Sequence, residues 1–245
     1  MSLFTDLNDR YLELHTQRED AFWASLEGTH EDFIRERCGS KTLQTLRRKR
    51  RKLAAGGEVT FVVPTDRQSR SDVLDALFVQ KSAQYRRTGA TDVLALPGRA
   101  EFYRALALDG EDAGMSHLSA LKVGDEIVAA HWGLSDAGRF HYLLASYAEG
   151  GVARHSPGEH LLVELLAWCF DRGFSAFDFT NGTFGYKDRW SQHRLRLFGV
   201  LAPRTWRGAL TRQARIGSRK AKTAARNSPV LWKAVATARE RGWLR

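Results

Sequence analysis

The side chains best suited to acid–base chemistry lie between residues 131 and 187. They are His131, His141, Tyr142, Tyr147, Asp178, Tyr186 and Lys187. His131 is the first choice for a general base, because an imidazole titrates near neutral pH. Strand alternation in Val-Ala-Ala-His-Trp-Gly puts it on the face opposite Ala130 and Trp132. An equally good interpretation is a histidine that is satisfied inside a sheet. Tyr147 closes a predicted strand, where it either donates a proton or packs.

A candidate anion site begins at Ser156-Pro157-Gly158-Glu159. Serine is a strong N-cap, proline suits the first helical position, and a glutamate three residues after the serine completes a capping box. The free amides of such a helix start bind phosphate, and Arg154 and His155 add positive charge just before it. The alternative is a simple cap of a buried helix, and the Glu159 carboxylate would compete with a phosphate for the same amides.

A third group follows the next predicted strand. Asp178 lies in the apolar run Phe-Asp-Phe, and a buried carboxylate is costly unless it is paired or faces a cleft. We expect it to order the following loop and Lys187. Gly182 and Gly185 let this loop approach a ligand closely, which places Tyr186 and Lys187 near one. Lys187 would then meet a phosphate, an acidic substrate or Asp178.

Hydrophobic periodicity predicts the elements that position these residues. Helices are expected at residues 42–55, 71–87 and 97–108, and a fourth helix opens at Ser156 and is ended by Gly173. Strands are expected at 58–64, 116–123, 126–134, 139–146, 174–179 and 195–201. In the fourth helix, His160, Glu164 and Asp171 form an exposed polar stripe. The basic run at residues 47–52 is better explained as a solvated helix face than as a nucleic-acid patch. Helices, a meander and then strand–helix–strand predict an α/β sandwich with a mixed sheet.

Composition excludes several classes of protein. The 245 residues are 43% hydrophobic, and no apolar run is long enough to span a membrane. The N-terminus lacks the order of a signal peptide, so we expect a cytoplasmic protein. Cys38 and Cys169 are far apart, and no metal-ligand spacing is present, so no metal is expected.

The net charge of +10 is concentrated at the C-terminus. From residue 204 onward there are twelve Lys or Arg and one Glu, and the remaining residues sum to −1. Tryptophans and apolar residues alternate with these basic residues, which is typical of amphipathic helices that bind an anionic membrane surface, a nucleic acid or another polyanion. A helical extension packed on the body, or a partly disordered end, is the alternative.

The segments Ser156-Pro157-Gly158, Asp178-Phe179 with Gly182, and Tyr186-Lys187 resemble GNAT-type acyltransferases. The resemblance is greatest to the branch labelled cellulose-biosynthesis or exopolysaccharide-related acetyltransferases. In that branch a Ser-Pro-Gly opens the acyl-CoA-binding helix, an Asp-Phe-x-x-Gly segment follows the next strand, and a Tyr-Lys pair comes soon after. The related peptidoglycan-bridge aminoacyl transferases have the same layout. The Gln/Arg-x-x-Gly-x-Gly/Ala signature of better-known acetyltransferases is matched only by Arg154 and Gly158.

The resemblance implies the GNAT fold, an α/β (α+β) arrangement with a mixed, largely antiparallel sheet flanked by helices. It also implies direct acyl transfer from acetyl-CoA or another acyl-CoA to an amine or hydroxyl of a sugar or envelope-polymer precursor. The predicted catalytic residues are His131, Tyr147 and Tyr186; the CoA contacts are Arg154, His155, Ser156, Pro157, Gly158 and Glu159; and the substrate-binding or loop-ordering residues are Asp178, Gly182 and Lys187. The alternatives are a tRNA-dependent aminoacyl transferase and a GNAT-like module that binds a partner or membrane without turnover.

Three segments are expected along the chain. Residues 1–40 are predicted to be loop and irregular helix, a connector or remnant of a first acyltransferase-like half. Residues 41–203 form the GNAT-like domain. Residues 204–245 form the basic helical tail, which would place the protein peripherally at the inner face of the membrane.

Overall fold

The computed structural model describes residues 16–109, 115–182, 185–200 and 205–227. The strands are β1 (Thr16–Ser25), β2 (Val59–Val62), β3 (Ser116–Val123), β4 (Glu126–Asp136), β5 (Arg139–Tyr147), β6 (Ala176–Asn181) and β7 (His193–Val200). The helices are α1 (His30–Leu53), α2 (Arg67–Thr88), α3 (Arg99–Leu108), α4 (Pro157–Asp171), α5 (Gly185–Trp190) and α6 (Trp206–Asn227). The chain divides into two compact units, residues 21–194 and residues 1–20 with 195–245.

One sheet contains the strands in the order β2-β3-β4-β5-β6-β1-β7. Strands β3, β4 and β5 form the predicted antiparallel meander, and β2 pairs antiparallel with β3. The β4–β5 hairpin turns at Ala137 and Gly138, whose φ angles of 43° and 80° are those that a two-residue hairpin loop requires. The predicted fold class, a mixed and largely antiparallel sheet with flanking helices, is confirmed.

Strands β5 and β6 form a parallel pair, because α4 carries the chain back to the same end of the sheet. Their pairing runs over only three residues, from Arg139 opposite Ala176 to His141 opposite Asp178. Beyond these pairs β5 continues to Tyr147 and β6 to Asn181. The two strands therefore separate toward their carboxyl ends and leave a wedge between them.

Helices cover both faces of this sheet. Phe33 of α1 and Leu165 of α4 pack with Phe140 and Phe177 on one face. On the other face, α2 and α3 contribute the buried side chains Leu74, Leu77 and Ala107, which pack with Leu118 and Trp132. The predicted alternation in β4 is confirmed, since Trp132 joins the second cluster while His131 stacks on Tyr142 of the first.

Two secondary-structure predictions are wrong. Within residues 1–40, predicted as loop and irregular helix, β1 pairs antiparallel with β6 and buries Phe22 and Ala24. The polar residues that begin β1 mask its alternation, and its stability comes from the neighbouring strand. The loop that carries Tyr186 and Lys187 contains the six-residue helix α5, because its apolar Trp190 is fully buried against the core.

Candidate functional site

A cavity of about 550 Å³ lies in the wedge between β5 and β6. Strand β5 contributes the wall from Tyr142 to Tyr147, and β6 contributes Thr180 and Asn181. The start of α4, the helix α5 and the middle of α2 close the remaining sides. A concave site at the carboxyl ends of separating strands is a usual place for a ligand in an α/β protein.

The start of α4 does not form the predicted capping box. Ser156 has a φ of 56°, and its hydroxyl makes no hydrogen bond to the helix amides. It accepts instead from Lys49 Nζ at 2.7 Å. The Glu159 carboxylate accepts from Arg189 Nη1 at 2.6 Å. The left-handed backbone conformation of Ser156 turns its side chain toward α1, and the Glu159 carboxylate is already bound to Arg189. Both side chains still line the cavity.

Helix α4 is also buried more completely than its polar stripe predicts. His160 is 4% exposed, and burial with the nearby Arg50 lowers its pKa to about 4. Glu164 pairs with Arg50 at 2.6 Å. Helix α1 therefore covers the part of this face that carries His160 and Glu164, and part of the basic run 47–52 is bound to α4.

Gly158 lies against Tyr147 at the cavity wall. A Cβ atom at Gly158 would lie 3.3 Å from Tyr147 Cδ1, closer than most contacts of this kind. The Tyr147 phenol accepts from Arg87 Nη2 at 3.1 Å, and Arg87 also pairs with Glu149. Because α2 fixes the phenol from one side and Gly158 leaves room on the other, Tyr147 faces the cavity in a defined position.

Helix α5 brings Tyr186 and Lys187 to the opposite wall. Burial raises the pKa of Tyr186 to about 12, so its phenol is protonated at neutral pH. Lys187 is 3% exposed and donates to the Asn181 carbonyl at 2.6 Å. Burial lowers the pKa of Lys187 to about 8, an effect that the Asp178 charge opposes.

Asp178 is paired. Its Oδ1 accepts from the Thr180 amide at 2.7 Å, and its Oδ2 lies 3.3 Å from Arg139 Nη1. Thr180 has a φ of 61°, so this carboxylate holds the last residues of β6 in a left-handed turn. Gly182 follows that turn with a φ of 101°.

The remaining predicted residues lie elsewhere. His131 is fully buried, is not part of the cavity lining and stacks on Tyr142 with ring centroids 4.5 Å apart. Burial and the nearby His117 lower the pKa of His131 well below its usual value. Arg154 and His155 lie in the 3₁₀ turn before α4, outside the lining. The structure thus brings Tyr147, Tyr186, Lys187 and residues 156–159 together, but not His131.

The sequence interpretation missed Lys81 of α2, which also lines the cavity. The signal was present, because Lys81 continues the buried row of Val73 and Leu77 at spacings of four residues. A lysine in a row that predicts an apolar residue either spans the core to solvent or faces a cleft. Arg189, Gln84 and Trp190 were missed for a different reason, since only the tertiary fold brings them to this cavity.

Among the described residues no group of three or more His, Cys, Asp or Glu side chains is placed to hold a metal ion. In the same parts of the chain, no helix is both long and apolar enough to cross a bilayer.

Comparisons with known proteins give one family and a fold. A family model described as an acetyltransferase (GNAT) domain matches residues 40–188. The crystal structure of FemX is similar with 9% identity and a TM-score of 0.54, over 74% of this chain and 61% of that one. A conserved protein of unknown function from Bacteroides thetaiotaomicron is similar with 13% identity and a TM-score of 0.50, over 78% of this chain and 63% of that one. This chain therefore spans less than two thirds of either structure, and the likeness concerns the fold. No curated protein matches it.

Proposed function

This chain belongs to the acetyltransferase (GNAT) domain family, and we propose that it transfers an acyl group from acyl-CoA to an amine or hydroxyl in the cavity between β5 and β6. One observation carries the proposal: β5 and β6 separate after three residue pairs, and the wedge meets the start of α4. Acetyl-CoA is the first donor to test.

The donor fits the wedge for two physical reasons. Strand edges that no longer pair present backbone N–H and C=O groups, which an extended, amide-containing chain such as pantetheine can bind. The start of α4 carries the positive end of a helix dipole, which favours a pyrophosphate. Lys49, bound to Ser156, lies at the same helix start and adds a cation there. Arg154 and His155 precede it in the chain and are assigned to the outer phosphates.

The proposed reaction is a direct displacement at the thioester carbonyl. The lone pair of a neutral acceptor amine attacks the carbonyl carbon, and the C–S bond breaks with its electron pair leaving on sulfur. The Tyr147 and Tyr186 phenols donate hydrogen bonds as negative charge develops on the oxyanion and sulfur. The proton lost by the acceptor nitrogen passes to Lys187 and from there to the CoA thiolate.

Lys187 is the proposed proton acceptor in place of His131. Its pKa of about 8 gives a neutral amine fraction near physiological pH. His131 lies behind the Tyr142 ring, fully buried, and no cavity wall contains it. A general base must be within hydrogen-bond reach of the proton that it removes, which favours Lys187.

The chemical class of the acceptor and the branch of GNAT-type acyltransferases to which the chain is assigned are also proposed. Transfer to a sugar or envelope-polymer precursor follows from the resemblance to exopolysaccharide-related acetyltransferases. A second hypothesis is that the same cavity accepts an aminoacyl group from charged tRNA, and the basic tail supports this hypothesis. A GNAT-like module that binds acyl-CoA without turnover is the third possibility.

Calorimetric titration of the purified chain with acetyl-CoA tests the proposal, with free CoA and deacylated tRNA as comparators. We expect saturable binding of acetyl-CoA and of CoA, followed by acetyl transfer in an acceptor screen. Binding of tRNA without acetyl-CoA binding would replace the proposal with the aminoacyl transferase. Acetyl-CoA binding without turnover on any acceptor would favour the non-catalytic module.

A further inference from the structure

The middle of α2 presents an unusual side chain to the cavity. Val73 and Leu77 are buried in the core beneath this helix, and Lys81 occupies the next position of the same row. Its ammonium nitrogen lies over the Tyr85 ring, 5.5 Å from the ring centroid. Its Nζ donates to the Ala145 carbonyl of β5 at 2.9 Å. The ammonium group is thus held at the β5 wall of the cavity.

This ammonium group has no carboxylate partner in the parts of the chain that the structure describes. Two arginines beside the cavity differ: Arg189 pairs with Glu159, and Arg87 pairs with Glu149. Burial lowers the pKa of Lys81, so its charge is only incompletely compensated by the Ala145 carbonyl. A partly buried cation that is held in place without a carboxylate partner is a candidate contact for an anionic ligand.

A second polar group stands one helical turn away. Gln84 also lines the cavity, and its buried Oε1 atom accepts no hydrogen bond from the described residues. Buried acceptors are normally satisfied, so this oxygen is available to an N–H or O–H donor of a ligand. Lys81 and Gln84 together offer a cation and a hydrogen-bond acceptor on one wall.

We propose that Lys81 binds an anionic group of the acyl acceptor, while Gln84 accepts a hydrogen bond from the amine or hydroxyl beside that group. The acceptor is then a small amino or hydroxy compound bearing a carboxylate or a phosphate. The inference rests on the proposed function, because it assigns the acceptor of the same cavity. The phenols and Lys187 lie on the walls that face the thioester, and Lys81 determines which acceptors are selected.

Two matched pairs of probes test this assignment. Glycine is compared with glycinamide for a carboxylate, and 2-aminoethyl phosphate with ethanolamine for a phosphate. Binding is measured by ligand-observed NMR, with and without saturating acetyl-CoA. We expect glycine to bind at least about tenfold more tightly than glycinamide, or 2-aminoethyl phosphate than ethanolamine, or both. Hydrogen bonds to charged groups are worth at least that factor. The pair that shows the preference identifies the anion.

Lys81→Met keeps an unbranched apolar side chain of similar length and removes the charge. The preference should disappear in this variant, return in part in Lys81→Arg, and persist in Lys41→Met, which removes a charge from an exposed position of α1. Acetyl-CoA affinity should be the same in all variants. A wild-type protein that binds acetyl-CoA but shows no preference in either pair, or a preference that survives Lys81→Met, overturns the inference. Failure of acetyl-CoA to bind the wild type would instead overturn the proposed function, and the probe titrations without acetyl-CoA would still decide the role of Lys81.

Discussion

Burial determines what each titratable residue of this chain can do. Lys187 and His131 are both almost fully buried, yet one lines the cavity and the other lies inside the aromatic core. In both residues burial favours the neutral form. For Lys187 this supports the proposed role as a base at the cavity wall. For His131 it favours an uncharged ring inside the core, so we expect the protonation of this residue to affect the stability of the fold.

The pH dependence of the reaction should follow Lys187. The lysine accepts a proton only when neutral, so the transfer rate is expected to rise with pH and level off above about 8. Lys187→Met should lower kcat by roughly 100-fold or more, the usual contribution of a general base, and should remove this rise. Steady-state kinetics between pH 6 and 9.5 measures both.

Lys122→Met is the matched control for this experiment, because Lys122 lies on β3 outside the cavity lining. It should leave both kcat and the pH profile as in the wild type. A Lys187→Met enzyme that keeps the wild-type pH profile would assign the proton transfer to another group.

His131 should affect stability at acid pH. Its folded-state pKa is lowered below the usual 6.5, so the unfolded chain binds more protons as the pH falls through 6.5. Stability is therefore lost on acidification below about pH 6.5, where the unfolded chain takes up a proton that the folded protein does not bind. In His131→Phe, which keeps an aromatic ring against Tyr142, this part of the loss should be absent.

Urea unfolding at pH 8 and pH 5 measures the difference between the two proteins. The acetylation rate of His131→Phe provides the second measurement, since a buried, non-catalytic histidine should leave turnover within a few fold of the wild type. A folded variant that has lost turnover would restore His131 as the general base predicted from the sequence.

At the scale of elements, the start of α4 is the part of the site most open to a direct test. Gly158→Asp introduces a Cβ atom 3.3 Å from Tyr147 and a carboxylate at the proposed pyrophosphate position. Both effects oppose the donor, so acetyl-CoA affinity should fall by about 100-fold or more, as expected for an anion placed at a helix start that binds one. Calorimetry measures the change.

Gly217→Asp is the control, because a Cβ atom at Gly217 of α6 meets no other atom within 4 Å. It adds the same charge to the chain and should leave acetyl-CoA affinity unchanged. Unchanged affinity in a folded Gly158→Asp protein would move the pyrophosphate away from α4.

Local sequence signals predict those elements whose apolar periodicity is complete. The strand predicted at residues 116–123 coincides with β3, and the prediction for 71–87 lies within α2, because apolar residues recur in each at the spacing of its element. The start of α4 was located correctly by Ser156 and Pro157, but its capping was not, since Lys49 comes from a helix more than a hundred residues earlier. Contacts of that range leave no local pattern.

The same distinction applies to the candidate site. Its motif residues Ser156, Gly158 and Tyr186 line one cavity, and the roles that the resemblance implies for them stay predictions. The missing part comes from α2, where Lys81 could be recognised only by asking why a lysine occupies an apolar row. For the converse reason, the sequence does not show that His131 lies outside the cavity lining: alternation gave the correct face for His131, but not the rings of Tyr142 and Phe140 that pack against it.

At the scale of the whole molecule, the charge is divided between a neutral body and a basic C-terminal segment. Residues 204–245 carry a formal net charge of +11, while the rest of the chain has a net charge of −1. The family match at residues 40–188 lies entirely in the neutral part. It stays a proposal that residues 1–40 are a remnant or connector, that residues 41–203 form the GNAT-like domain and that residues 204–245 form a separate tail. The pairing of β1 with β6 adds a structural role for residues before 40.

Helix α6 has the composition of a membrane-surface helix. From Trp206 to Asn227 it contains seven Lys or Arg and no Asp or Glu. Trp206 and Leu210, one turn apart, are 70% and 61% exposed. Each basic residue near an anionic surface contributes about 1 kcal/mol, and the exposed tryptophan and leucine can insert at the headgroup level.

We therefore predict that the protein binds vesicles containing phosphatidylglycerol and not vesicles of phosphatidylcholine alone. Binding should weaken as salt is raised from about 50 to 500 mM, because the attraction between surface charges is screened over this range. Sedimentation with vesicles measures it. Truncation after residue 203 should abolish vesicle binding and leave acetyl-CoA affinity unchanged. The double variant Trp206→Ala with Leu210→Ala should weaken vesicle binding at both salt concentrations.

Tight binding of tRNA by the full-length chain without vesicle binding would instead identify a nucleic acid as the partner of the tail. Loss of acetyl-CoA binding in a folded truncation would show that the tail is part of the domain that binds acetyl-CoA.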